Sequence, residues 1–127
     1  MIDIHIGIGL KGQQEIIVSE KDTAVKFNSG LVEVFATPAM IALMETTALK
    51  SIEAFLPENA TSVGTEVNMK HLKASGIGHK LRCESTVVEV NGRKITFEIT
   101  VWDDIILVGH GIHIRHIVDK EKFMSQI

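Results

Sequence analysis

The run Val34-Phe35-Ala36-Thr37-Pro38-Ala39-Met40-Ile41-Ala42-Leu43-Met44-Glu45-Thr46-Thr47-Ala48-Leu49 constrains the fold more than any other stretch of the chain. Proline suits the first position of a helix, and Thr37 ahead of it can accept a hydrogen bond from a free first-turn amide. The spacing predicts a helix from about Pro38 to Phe55, stopped by Pro57. Its side chains are almost wholly apolar, so it needs burial around most of its circumference. Glu45 sits in the middle of that run. A carboxylate placed there is costly unless it is paired, hydrogen-bonded or protonated.

The rest of the chain reads as strands. Ile2, Ile4, Ile6 and Ile8 alternate with other residues and suggest an extended segment, and Gln13 to Val18 suggests a strand. Residues 19–33 are polar and contain Asn28-Ser29-Gly30, the composition of a loop with one short helical turn. Beyond the helix, Ser62–Met69 and Lys80–Val90 read as strands. Asn91-Gly92 then signals a hairpin with positive φ at both central positions. Lys94–Trp102 returns, Asp103-Asp104 turns, and Ile105–Val118 follows. On that last strand Val108, Ile112, Ile114 and Val118 share one parity, opposite Gly109, Gly111, His113 and Arg115. One long helix and a run of hairpin-connected strands imply an α+β fold in which an antiparallel sheet wraps the helix.

At 127 residues the chain is expected to form a single domain, residues 1–127, with a real core. A net charge of −3 without a Lys/Arg cluster, and no Tyr with one Trp, argue against nucleic acid as a partner. No apolar run is long enough to cross a bilayer, and the first residues lack a signal-peptide layout, so a cytoplasmic protein without a membrane partner is expected. Cys83 is the single cysteine, and its strand-like context reads as a small buried hydrophobe rather than a nucleophile. His110, His113 and His116 recur every third residue, but on a strand His113 points away from the other two, so no metal site is expected. Ser75-Gly76-Ile77-Gly78 lacks the Lys-Ser/Thr of a phosphate loop and reads as a flexible turn.

Thr37, Glu45, Gly64 and His71 are the residues with chemistry to offer. Hydroxyl, carboxylate and imidazole are the types wanted for acyl transfer: one holds or attacks the carbonyl, one activates water, one moves the proton. Amides at the helix N-terminus near Thr37 add a site for an oxyanion. Thr37 and Glu45 lie eight positions apart, about 12 Å along a helix axis, so they cannot touch within one helix. Each also has a plain structural reading. Thr37 can be an N-cap, Glu45 can pair with a surface cation, His71 can be an exposed loop histidine and Gly64 can mark a bulge.

Taken together, Phe35-Ala36-Thr37-Pro38, Leu43-Met44-Glu45, Gly64-Thr65 and Lys70-His71 resemble the hotdog-fold thioesterases of the fluoroacetyl-CoA thioesterase type. The likeness runs from about Val34 to Phe123 and includes the 26-residue interval from Glu45 to His71. It implies a hotdog fold, one long central helix wrapped by a curved antiparallel sheet, with sites at the interface of two paired subunits and an assembly that is a homodimer or a dimer of dimers. It implies catalytic roles for Thr37, Glu45 and His71 and a place for Gly64 beside the acyl group. Arg115 falls where the family has an arginine on its last strand, with a structural or thioester-adjacent role. The family's lid uses an aromatic residue shortly before the Thr; Leu31 stands at that position here, so selectivity for fluoroacetyl is not implied.

The activity implied is hydrolysis of a small acyl-CoA thioester, with acyl-CoA as partner and no cofactor. Two rivals are a non-catalytic acyl-CoA binding or sensing module on the same scaffold and a hotdog hydratase. A hydratase pairs Asp with His in a short local motif, and no such pairing surrounds His71.

Overall fold

The computed structural model describes residues 2–127. Strand β1 (Lys11–Ile17) is followed by a 3-10 turn (Glu20–Asp22) and helix α1 (Thr37–Glu53). Strands β2 (Ala60–His71), β3 (Lys80–Asn91), β4 (Lys94–Asp103) and β5 (Ile106–Asp119) follow, then a short helix α2 (Lys120–Ser125). The five strands form one antiparallel sheet in the order β1-β3-β4-β5-β2. Helix α1 touches all five, so the sheet curves around it. Among the described residues no helix is long and apolar enough to cross a membrane.

Helix α1 is built from Ala, Met and Leu, strong helix formers. Ala39, Met40, Leu43, Met44, Thr47, Ala48 and Ile52 are buried, a spacing that lays one stripe against the sheet. The opposite side, with Ala42 and Lys50, is open. Burial around most of the circumference is therefore not reached, because the sheet of one chain covers only one side of the helix. Phe97, Ile99, Leu81, Ile95 and Val87 meet the buried stripe as the core.

Several local expectations need correction. Residues 2–8 form no strand, despite their alternating isoleucines; among them only Ile6 is buried, and Gly9 turns the chain at a φ of +95°. Asn91 pairs with Lys94, so Gly92 and Arg93, not Asn91 and Gly92, are the central residues of the hairpin. Only Gly92 has positive φ there, the arrangement with glycine at the first central position. The next turn centres on Asp104 and Ile105, with Asp104 in the left-handed region that Asp tolerates. The 75–78 segment is pinned rather than loose, with Phe35 N donating to Ser75 O and Gly78 N donating to Val18 O. Helix α2 was not foreseen; the Asp119 side chain caps it by accepting from Lys122 N.

Strand β5 carries the decisive parity. His113, Arg115 and Ile117 are buried on the face toward α1, while Ile112 and the half-buried Ile114 and Val118 face outward. Beyond the register irregularity at Val108, which itself lies in the core, Ile112, Ile114 and Val118 thus lie on the outer face and His113 and Arg115 are turned into the molecule.

Candidate active site

Helix α1 begins at Thr37 itself, with Ala36 as N-cap and no side-chain cap. The Thr37 hydroxyl therefore does not serve the helix end. It lies 2.9 Å from Nδ1 of His71, the last residue of β2. The two edge a cleft of about 320 Å³ between the segment before the helix and residues 71–74. Phe35 meets the His71 ring edge-on. His71 Nε2 is buried and without a hydrogen-bond partner. Burial pushes the His71 pKa below the ordinary imidazole value, and the backbone of Lys73 pulls the other way. A neutral imidazole beside a hydroxyl is the arrangement that can accept the hydroxyl proton.

Two turns along the same helix, Glu45 faces Arg115 of β5, with Oε2 3.6 Å from the guanidinium NH1. The carboxylate is not sealed among apolar groups: its side chain is 41% exposed, against 7% for Arg115. Its cost is met by an inward-pointing cation and by water. Arg115 is anchored by Ser62, donating Nε–H to Oγ at 2.7 Å and NH2 to the carbonyl at 2.9 Å. Burial lowers the Arg115 pKa, and the Glu45 charge raises it.

Gly64 is placed by this pair. A Cβ there would lie 2.5 Å from Glu45 Oε2, 3.2 Å from His113 Cε1 and 3.3 Å from Arg115 NH1. Only a residue without a side chain lets the carboxylate reach the arginine at this point. The structure thus joins Thr37 to His71, and Glu45 to Gly64 and Arg115, as two separate clusters. Leu31 belongs to neither; its side chain is 97% exposed.

Of the remaining reactive groups, His113 borders the Glu45–Arg115 pair and the others lie elsewhere. Cys83 is fully buried in β3, and burial raises its thiol pKa to about 11, as expected of an inert core cysteine. His113 faces α1, His116 bonds Thr65 at 3.1 Å on the other face, and His110 is exposed. Among the described residues no cluster of three or more His, Cys, Asp or Glu groups converges as metal ligands. His79, without an evident partner in the sequence, pairs with Asp103 at 2.6 Å. Two residues of the arginine's setting escaped the sequence reading as site residues: Ser62, and His113, whose signal was its shared parity with Arg115.

The family model described as FlK, fluoroacetyl-CoA-specific thioesterase, matches residues 18–121. The chain belongs to the FlK family. This FlK-family member is 28% identical, over 95 residues, to the fluoroacetyl-CoA thioesterase of Streptantibioticus cattleyicolor, spanning 75% of this chain and 68% of that relative. The crystal structure of the F36A mutant of the fluoroacetyl-CoA-specific thioesterase FlK matches with a TM-score of 0.91 at 23% identity, covering 98% of this chain and 96% of that one. A Thermus thermophilus hypothetical protein of the thioesterase superfamily matches with a TM-score of 0.88 at 23% identity, covering 96% and 90%. The structural likeness establishes the hotdog fold. Family membership makes the FlK-family chain an acyl-CoA thioester hydrolase, and a purely non-catalytic binding module is not favoured.

Proposed function

We propose that this hydrolase works as a homodimer on a small acyl-CoA, each site combining Thr37 and His71 of one subunit with Glu45 of the other. The observation that carries the reading is the Thr37–His71 hydrogen bond at the cleft, on the same helix as a carboxylate too far away to join it. Strand β2 supplies the geometry. It is a 12-residue sheet edge, and an edge strand offers a row of unpaired backbone groups to another strand. Antiparallel pairing of two copies about Val67 and Asn68 sets Gly64 of one opposite the partner subunit's His71, bringing the half-sites together. Exposed apolar side chains at Phe27, Leu31, Val32 and Leu72 agree with a covered face beside the cleft.

In this reading Glu45 takes a proton from water as its oxygen attacks the thioester carbonyl, held by the Thr37 hydroxyl. Collapse of the adduct breaks the C–S bond, and neutral His71, beside the Thr37 hydroxyl, accepts the proton that Glu45 took from water and relays it to the departing CoA sulfur. Gly64 leaves room for the acyl group, Arg115 orients the carboxylate, and Leu31, exposed in the single chain and outside its cleft, takes the position of the family's aromatic lid residue. The groups at hand suffice, because a thioester is already activated and asks for positioning and proton transfer. The reading places the enzyme in the cytoplasm as one domain over residues 1–127.

CoA release measured across short, branched, aromatic and fluorinated acyl-CoA substrates tests the reading. Turnover is expected on a short acyl group, with Glu45→Gln and His71→Ala each lowering kcat on the order of a hundredfold or more. Binding without release across the whole panel overturns it.

A further inference from the structure

Between Gly64 and Glu66, strand β2 slips by one residue against β5: Gly64 pairs with Arg115, Glu66 pairs with Ile114, and Thr65 is the extra residue. A bulge takes backbone groups off the ladder and re-aims them. Here the Glu66 carbonyl accepts from Nδ1 of His113 at 2.8 Å. A carbonyl can only accept, so the proton of a neutral His113 resides on Nδ1, and Nε2 is bare. Burial holds the imidazole below its ordinary pKa, with the Glu66 carbonyl and the Glu45 charge opposing and Arg115 assisting. The ring also stacks on Phe97, with centroids 6.1 Å apart and an interplanar angle of 27°.

Bare Nε2 lies 3.1 Å from Arg115 NH1, and a guanidinium can only donate. With Nε and NH2 of Arg115 held by Ser62, this third contact fixes the rotation of the guanidinium plane. One NH1 hydrogen goes to His113, leaving the other for Glu45. The bulge, the imidazole, the guanidinium and the carboxylate thus form one chain of contacts in which each member dictates the orientation of the next.

We propose that His113 is a positioning residue for thioester hydrolysis, locked by the bulged Glu66 carbonyl so that it holds Arg115 where the arginine aims the Glu45 carboxylate at the reacting centre. The proposal rests on the reading of Glu45 as a catalytic group. Misplacing a reacting group by about an ångström costs on the order of a hundredfold in rate. Removing the guide should therefore act on kcat and leave substrate affinity alone.

Steady-state kinetics of His113→Phe, His113→Gln, Glu45→Gln and the His113→Phe/Glu45→Gln double variant tests this. Phe keeps a ring against Phe97 without either polar contact, whereas Gln can donate and accept. His113→Phe is expected to lower kcat roughly ten- to a hundredfold with KM within about twofold. His113→Gln should recover part of that loss, and the double variant should be no slower than Glu45→Gln alone. Wild-type kcat in His113→Phe, or losses that multiply in the double variant, overturns the proposal while the role of Glu45 stands. Full turnover in Glu45→Gln overturns both. The histidine ring nitrogens of the wild-type protein give a readout independent of any variant's folding. Nitrogen-15 NMR should show His113 with its proton on Nδ1, and a proton on Nε2 contradicts the arrangement.

Discussion

The Thr37 hydroxyl lies 2.9 Å from His71 Nδ1 because Thr37 is the first residue of its helix and not its cap. A capping threonine turns its oxygen back toward first-turn amides. Here Ala36 accepts from Met40 N, and the hydroxyl is left free for the imidazole.

This contact predicts a sharp split between substitutions of Thr37. Thr37→Val keeps the shape but removes the hydroxyl, and kcat for CoA release should fall on the order of a hundredfold. Thr37→Ser retains the hydroxyl and should keep most of the activity. Because no cap is lost, thermal unfolding of Thr37→Val should stay close to wild type, where loss of a capping contact would cost about 1 kcal/mol.

Gly64→Ala tests the close approach beside Glu45. The added methyl would sit 2.5 Å from Oε2, the far end of a flexible and part-exposed side chain that can yield, and 3.2 and 3.3 Å from His113 Cε1 and Arg115 NH1, which must also give slightly. The expected result is a folded protein with kcat lowered roughly tenfold or more, since the carboxylate is displaced from its aim. Melting by circular dichroism alongside CoA-release kinetics separates the two effects.

Arg115→Met should be a stability variant as well as a kinetic one. It deletes the hydrogen bonds to Ser62 and leaves Ser62 Oγ and His113 Nε2 inside without their donor. Unsatisfied buried groups cost about 1–3 kcal/mol each. Glu45 adds less, because its side chain is 41% exposed and water can replace the cation. Denaturant titration should show a loss within a few kcal/mol.

Acid should weaken both the fold and the activity through its histidines. Burial lowers the folded pKa of His71 and of His113 below the ordinary value, so between the folded and unfolded pKa values the unfolded chain binds more protons. Their contribution to stability is full above about pH 6.5 and is lost as pH falls through the folded values. The kcat profile should fall on the acid side only as pH drops through the folded pKa of His71, which burial holds below the ordinary imidazole value, because the charged ring can no longer accept a proton. Thermal unfolding across pH 5–8 checks the sign, and His71→Gln should show a shallower loss.

Much of the architecture was legible from periodicity. The Pro38-led helix, the hairpin strands and the split of His110, His113 and His116 between two faces all follow from short-range pattern. What was not legible depends on what comes across from other elements. Alternating isoleucines at positions 2–8 resemble a strand, yet β1 forms later because Lys11–Ile17 is the segment that finds β3 as a partner. Thr37 before Pro38 resembles a cap, and only His71, 34 residues away, claims its hydroxyl. On β5 beyond Val108, which a register irregularity leaves in the core, Ile112, Ile114 and Val118 face outward and His113 and Arg115 face the core, the reverse of the usual inference from alternation. The reversal is possible because Ser62, the Glu66 carbonyl and Glu45 satisfy the inward polar groups. Sequence alone also overstated how deeply Glu45 is buried.

The most direct test of a site shared between subunits is complementation. Glu45→Gln and His71→Ala chains, carrying different tags, are co-expressed, and the mixed dimer is purified through both tags. One site of that dimer combines an intact Glu45 from the His71→Ala chain with an intact Thr37 and His71 from the other. The account predicts that each parent variant is nearly inactive while the mixed dimer releases CoA at about half the wild-type rate. A mixed dimer as inactive as its parents contradicts it.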